Sequence, residues 1–184
     1  MTFISADDVT VTCPLFQGEY GGSIPTSALQ LHFSRVDIKR AVRINELWHS
    51  RLPNFGFGGG CFAYCAEHAN VVYAVAIWGP PIAIAFNGKQ FIELRRMAIS
   101  NAAPKNTATR MIGWMLRDLK KTGKYKRAIS YQDTEVHTGT IYKASGWTAA
   151  HRSRATDINW AKTHPRKAAR LPALSDKIRW EYEL

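Results

Sequence analysis

Apolar and polar positions change their period several times along the chain, and each change marks an element. Val36, Arg40, Arg43 and Leu47 fall at helical intervals with Ile38, Val42 and Ile44 beside them, which predicts a helix from Val36 to Trp48 ending near His49. Pro53, Gly56 and Gly58 to Gly60 break that pattern and open a turn. Cys61–Ala66 and Val71–Trp78 are apolar, aromatic and β-branched, as buried strands are, and Pro80 and Pro81 end the second. Phe91–Ser100 (FIELRRMAIS) predicts the next strand.

The most amphipathic stretch follows. Ala108, Met111, Ile112, Met115, Leu116 and Leu119 make an apolar stripe, with Arg110, Arg117 and Lys121 on the opposite side. Asn106 or Thr107 is suited to the N-cap of this helix and Gly123 to its end. A strand over Arg127–Gln132, a short helix over about 138–144 and a strand-like run from Gly146 and Trp147 complete an alternating pattern. Strand, helix, strand, helix, strand predicts an α/β fold with a mixed sheet and helices on its faces. Residues 14–29 read as loop, and the stretch after Ala161, with Pro165 and Pro172, reads as an irregular basic arm. Trp180 and Tyr182, in alternation, suggest a terminal strand.

Composition narrows the class. With 184 residues, 46% of them hydrophobic and 21% charged, the chain suits one folded domain, the core spanning about 36–150 and the arm about 151–184. Three Cys are too few for a disulfide framework, and no stretch reaches the roughly 20 apolar residues of a membrane span. A secreted scaffold and a membrane protein are therefore not expected, and a reducing cytoplasm is. The net charge of +11 is unevenly placed: residues 1–30 hold no Lys or Arg, while eight bases and one acid, Asp118, lie between Lys105 and Arg127. Such blocks favour polyanions, or serve solubility alone. Charge alone fixes neither the partner class nor a reaction.

Two segments carry candidate chemistry. The loop Ala103–Arg110 joins a strand to a helix, so unpaired N–H groups and the helix dipole offer a site for a pyrophosphate, with Lys105 and Arg110 adding charge. Asn106, Thr107, Ala108 and Thr109 complete it, although an ordinary capped helix has the same outline. The second segment is HTGTIYKASGW, from His137 to Trp147, in which a short helix presents Tyr142 and stops at Gly146.

YKASGW resembles the Tyr–x–x–x–Gly–aromatic ending of GCN5-related N-acetyltransferases (GNAT). That resemblance implies a GNAT-like, mostly antiparallel central sheet flanked by helices, an acetyl-CoA or other activated acyl donor, and a Tyr that protonates the departing thiolate. In place of the superfamily's usual Gly-containing loop stands Pro104-Lys105-Asn106-Thr107-Ala108-Thr109-Arg110. LRRMAISNAAPKNTATRMIGWML and SYQDTEVHTGTIYKASGW, together with WHSRLP upstream, are similar to the Mom family of bacteriophage DNA-modification proteins. The resemblance implies conversion of adenine N6 in phage DNA to a carbamoylmethyl form that blocks host restriction enzymes, in the cytoplasm of the infected bacterium. Family members commonly carry Tyr after the upstream His, where this chain has Ser50 after His49.

Roles can then be assigned residue by residue. Tyr142, a phenol with an ordinary pKa of about 10, is the candidate general acid, or else a packed core residue. Asp133, at the carboxyl end of its strand, orients or deprotonates the amine, or caps a loop. His49 is a base, a base-edge contact, a metal ligand or a helix-end cap. Arg95 and Arg96, adjacent in a strand, are expected on opposite faces, one reaching substrate or phosphate and Glu93 pairing with Arg95. Ser130 lies beside the donor, Tyr131 offers a surface for a flipped base, and Tyr64 is either substrate-binding or core. Cys61, Cys65 and His68 lack the spacing and fourth ligand of a metal site and are expected to be ordinary residues. Expected partners are DNA and, because the modification has the atoms of a glycine amide, a charged glycyl-tRNA as alternative donor. Acetyl transfer to a protein or small amine, or a binding module without catalysis, are the other readings.

Overall fold

The computed structural model describes residues 10–11, 24–49, 52–56, 58–86, 89–155 and 175–184. Its strands are β1 (Thr10–Val11), β2 (His32–Val36), β3 (Phe62–His68), β4 (Val71–Gly79), β5 (Phe91–Ile99), β6 (Arg127–Asp133), β7 (Thr148–Ser153) and β8 (Lys177–Glu183). The helices are α1 (Ile38–Trp48), α2 (Thr107–Lys121) and α3 (Thr140–Ala144). One sheet takes in all of the strands in the order β2-β3-β4-β5-β6-β8-β7, with β1 beside the start of β4. Along that order every pair is antiparallel except β5 with β6.

Two apolar layers cover the faces. Ala41, Val42 and Ile44 of α1 pack on Ala63, Cys65, Val72, Val75, Ile77 and Ala98. Met111, Ile112, Met115, Leu116 and Leu119 of α2 pack on the other face with Tyr64, Trp78, Leu94, Tyr142, Trp147 and Trp180. The predicted stripe of α2 is therefore the buried one, and the Trp78 indole donates to the Met115 thioether at 3.1 Å. Among the described residues no helix is long and apolar enough to cross a membrane.

Three boundaries depart from the sequence reading. The helix begins two residues later than Val36, because the Asp37 carboxylate accepts from the Lys39 and Arg40 N–H groups and so caps it there. Val36 itself ends β2, a strand that the helical pattern obscured. The largest departure is at the other end of the chain. Trp180 and Tyr182 do lie in a strand, but β8 is an interior strand between β6 and β7, so this part of the expected arm completes the sheet. Residues 156–174, which include the rest of that arm, and residues 14–23 of the expected loop lie outside the described residues.

Candidate active site

The parallel pair β5–β6 stays in register from Phe91↔Arg127 to Leu94↔Ser130 and ends there. β5 runs on to Ile99 and β6 to Asp133, so beyond that pair the two strands part. Among the described residues no strand pairs with the edge of β5 that this opening exposes. Unpaired backbone N–H and C=O groups along such an edge are available to a ligand.

On the α2 side of the opening stands Tyr142. Its ring is stacked on Trp180 (centroids 5.4 Å, 13° between planes) and edge-on to Trp147 (5.6 Å). Its hydroxyl lies 2.9 Å from Ser130 Oγ, which donates its own proton to the Leu94 carbonyl at 3.0 Å. Ser130 has one proton and spends it on Leu94, so the phenol donates to Ser130. The Tyr142 hydroxyl and Ser130 therefore sit together where the strands separate. Burial raises the phenol pKa above its ordinary value, with the Ser130 hydrogen bond a smaller opposing effect.

The α2 start is built differently from the expected cap. Asn106 takes a left-handed conformation (φ 68°, ψ 7°) and makes no side-chain cap bond. An N-cap side chain reaches the helix N–H groups from the extended region, so this conformation turns Asn106 away. Thr107 donates its hydroxyl to the Pro104 carbonyl at 2.7 Å. Neither side chain caps α2, and the N–H groups of Ala108 and Thr109 meet no acceptor among the described residues. Lys105 and Arg110 are exposed beside them, and Arg110 lies over the Phe33 ring at 5.8 Å. Two open N–H groups at the positive end of a 15-residue helix fit a phosphorylated carrier.

On the α1 side the expectation for Arg95 and Arg96 is overturned. Ile77 pairs with Arg96 but Trp78 with Leu94, which leaves Arg95 as the extra residue of a β-bulge. A bulge breaks the strict alternation of side chains. Both guanidinium groups consequently lie over one ring, Phe55, at 5.5 and 5.3 Å. Gly79 makes room for this, since a Cβ there would lie 2.7 Å from Cys61 Sγ and 3.1 Å from Arg95 Cδ. Arg95 donates to Cys61 Sγ and Arg96 to the Arg95 carbonyl, while the Nε of each is buried without a partner. Glu93 does not form the expected pair with Arg95; its carboxylate accepts from the Ile82 N–H at 2.9 Å, and burial raises its pKa.

His49 closes the end of α1 and joins this group. Its Nδ1 accepts from the Leu52 N–H at 3.2 Å. Burial, then the positive charge of Arg96, then His137, lower its pKa, which keeps the ring neutral. A neutral ring whose Nδ1 accepts carries its proton on Nε2, so His49 offers a donor there and is not a base at that atom. Asp133 accepts from the Glu135 N–H at its carboxylate and from the His137 N–H at its carbonyl, which makes it the residue that shapes the turn holding His137. Tyr131 is partly exposed on the face opposite Ser130, its pKa raised by burial and then by Glu93.

Tyr64 is not in this group. It is fully buried beneath α2, its hydroxyl donating to Asp118 at 2.7 Å while Arg35 donates to the same carboxylate at 3.1 Å. Burial and the Asp118 bond push the phenol pKa far up, so it is a structural residue and not a substrate contact. Cys65 Sγ lies against Ser34 Oγ at 3.4 Å, and His68 Nδ1 against the Gln30 carbonyl at 3.1 Å.

Phe55, His137 and Gln132 belong to the site and were not singled out from the sequence. Phe55 lies in a Gly- and Pro-rich turn without periodicity. Gln132 accepts from the Trp180 indole at 2.8 Å and donates to the His137 carbonyl, a link that needs β8 in place.

A mostly antiparallel sheet with one parallel pair, flanked by helices, matches the fold of the GNAT acetyltransferases. An acetyltransferase from Bacillus subtilis in complex with CoA superposes with a TM-score of 0.59 at 12% identity, over 84% of this chain and 99% of that one. The ribosomal-protein-S18-alanine N-acetyltransferase from Escherichia coli gives 0.56 at 11% identity, over 83% and 93%. A GNAT-family acetyltransferase from Streptococcus pneumoniae gives 0.57 at 9% identity, over 84% and 99%. These likenesses define the fold. The chain belongs to the Mom protein family, whose model matches residues 30–182. No curated protein sequence matches it.

Proposed function

We propose that the protein is a DNA-modifying transferase that places a carbamoylmethyl group on adenine N6, drawing on an activated acyl donor, and so shields phage DNA from restriction in the host cytoplasm. The observation that carries this reading is the two-sided opening beyond Leu94 and Ser130, taken with membership of the Mom family. One side offers the open N–H groups of Ala108 and Thr109, with Lys105 and Arg110, to the phosphates of a carrier. The complex of the Bacillus subtilis neighbour with CoA supports an acyl-CoA as the donor. The basic surface suits a glycyl-tRNA as an alternative carrier.

The other side offers Arg95, Arg96, His49 Nε2–H and the partly exposed Tyr131 ring to a polyanion and its base. Attack of N6 on the acyl carbon of a glycyl donor first gives N6–CO–CH2–NH2. The free glycyl amine then attacks adenine C6, the original C6–N bond breaks and the released amide nitrogen takes the amine's proton, which gives the isomeric N6–CH2–CO–NH2 without any oxidant. The thiolate or alkoxide that departs in the first step needs a proton. Tyr142 supplies it by turning its hydroxyl from Ser130 towards the opening, and its raised pKa keeps that proton available at neutral pH. The amine is hidden in stacked DNA, so the adenine must swing out of the duplex to reach the opening.

The test is nucleoside mass spectrometry on plasmid DNA co-expressed with the protein. A modified deoxyadenosine is expected, and fragmentation distinguishes N6–CH2–CO–NH2 from the isomeric N6–CO–CH2–NH2 that direct glycyl transfer gives. Unmodified deoxyadenosine alone overturns the reading.

A further inference from the structure

Between β4 and β5, residues 80–86 make a tip on which two large apolar side chains, Ile82 and Ile84, face solvent. Ile82 is 65% exposed and Ile84 83% exposed, the highest value among the exposed large hydrophobic residues described. The tip is nonetheless fixed. Glu93 accepts from the Ile82 N–H, Phe86 is buried and stacked on Phe91 at 5.2 Å, and its N–H donates to the Ala83 carbonyl. An apolar point held rigidly in water serves contact with something else.

Its surroundings say what that is. Arg179 and Lys89 lie over the Phe86 ring at 5.0 and 5.6 Å, and Arg127 over Phe91 at 5.6 Å. Arg127 and Arg179 share the Glu181 carboxylate at 2.9 Å, and the positive charges of Arg95 and Arg96 act on Glu93, so the cations near the base of the tip outnumber its two carboxylates, Glu93 and Glu181. An apolar point on a cationic base is the pattern of side chains that enter between base steps while Arg and Lys hold the flanking phosphates. The tip is also joined to the site along β5, since Glu93, which holds the Ile82 N–H, immediately precedes Leu94 at the end of the β5–β6 pair.

We propose that Ile82 and Ile84 form a wedge that enters duplex DNA beside the target adenine and fills the stack when that base swings out. This rests on the reading of the protein as a DNA-modifying enzyme. The occupant is duplex DNA, because the base of the tip is cationic where a copy of this basic chain would be repelled.

The test uses the full chain and duplexes carrying 2-aminopurine for adenine in varied sequence contexts, with fluorescence reporting unstacking and anisotropy reporting affinity. Wild-type protein raises the fluorescence, whereas Ile82→Ser/Ile84→Ser binds within about threefold but gives a rise at least about fivefold smaller, since phosphate contacts set affinity and the wedge sets unstacking. The same variant retains modification of single-stranded DNA, which shows that it is folded. An equal rise with the variant overturns the wedge, as does binding by the wild type without any rise; both leave the enzymatic reading standing. Failure of the wild type to bind DNA overturns both. A wild-type dimer that the variant converts to monomer assigns the tip to self-association and likewise overturns the wedge.

Discussion

Tyr64 and Tyr142 are buried on the same face of one sheet, yet the two regions around them differ in what a phenol can do. At Tyr64 the strands on both sides are paired, with Arg35 and Ala76 as neighbours across the ladder, and the hydroxyl is committed to the Asp118 carboxylate. Arg35 bonds the same carboxylate, so the group is a closed unit between β2, β3 and α2. At Tyr142 the neighbouring pair β5–β6 ends, and the hydroxyl meets another hydroxyl whose proton is already placed on Leu94. A charged acceptor fixes a phenol more firmly than a neutral one. Burial alone therefore does not distinguish the two phenols; the charge of the partner and the pairing of the strands beside each one do.

The sharpest way to break this contrast is Tyr142→Phe. Loss of a general acid lowers the rate of modified-nucleoside formation by about 10²- to 10⁴-fold. An unchanged rate removes Tyr142 from that role. Gly139→Ala tests whether α3 needs its present path. Gly139 has φ +75°, and a Cβ there would lie 2.5 Å from Gln132 Oε1 and 2.7 Å from Trp180. The left-handed backbone alone makes this cost about 1–3 kcal/mol in chemical unfolding, with activity falling alongside. Tyr64→Phe gives the complementary result, a loss of about 1–2 kcal/mol with turnover at saturating substrate unchanged, because only a hydrogen bond to a charged group is removed.

The smallest effect concerns pH. The folded-state pKa of His49 lies below the ordinary 6.5. As pH falls past 6.5 the unfolded chain takes up the proton first, so the folded state loses stability below that value and regains it above. Melting temperatures measured stepwise from about pH 7 to pH 5 should decline, and His49→Gln should flatten the decline.

The paired half of the molecule was the legible half. The stripe Met111–Leu119 and the apolar runs of β3, β4 and β5 announce themselves because packing against one layer imposes a regular period. Tyr142, Ser130 and the loop before α2 were legible through their motifs. The α1 side was not. The bulge at Arg95 arises from register with β4, so two adjacent Arg read as opposite when they share Phe55. The alternation of Trp180 and Tyr182 announced β8 as a strand, but its place between β6 and β7 is set by pairing with them and has no signal in the local pattern. Phe55 and His137 come from turns, which carry no period. Asn106 has the side chain of a cap, but its left-handed backbone cancels that role.

Amide hydrogen exchange with and without coenzyme A tests most directly whether the parting of β5 and β6 is where the donor sits. Slower exchange at Ala108, Thr109 and the stretch of β5 beyond Leu94, with β3 around Tyr64 unchanged, is the expected result. Protection absent from those amides, or appearing equally around Tyr64, would contradict it.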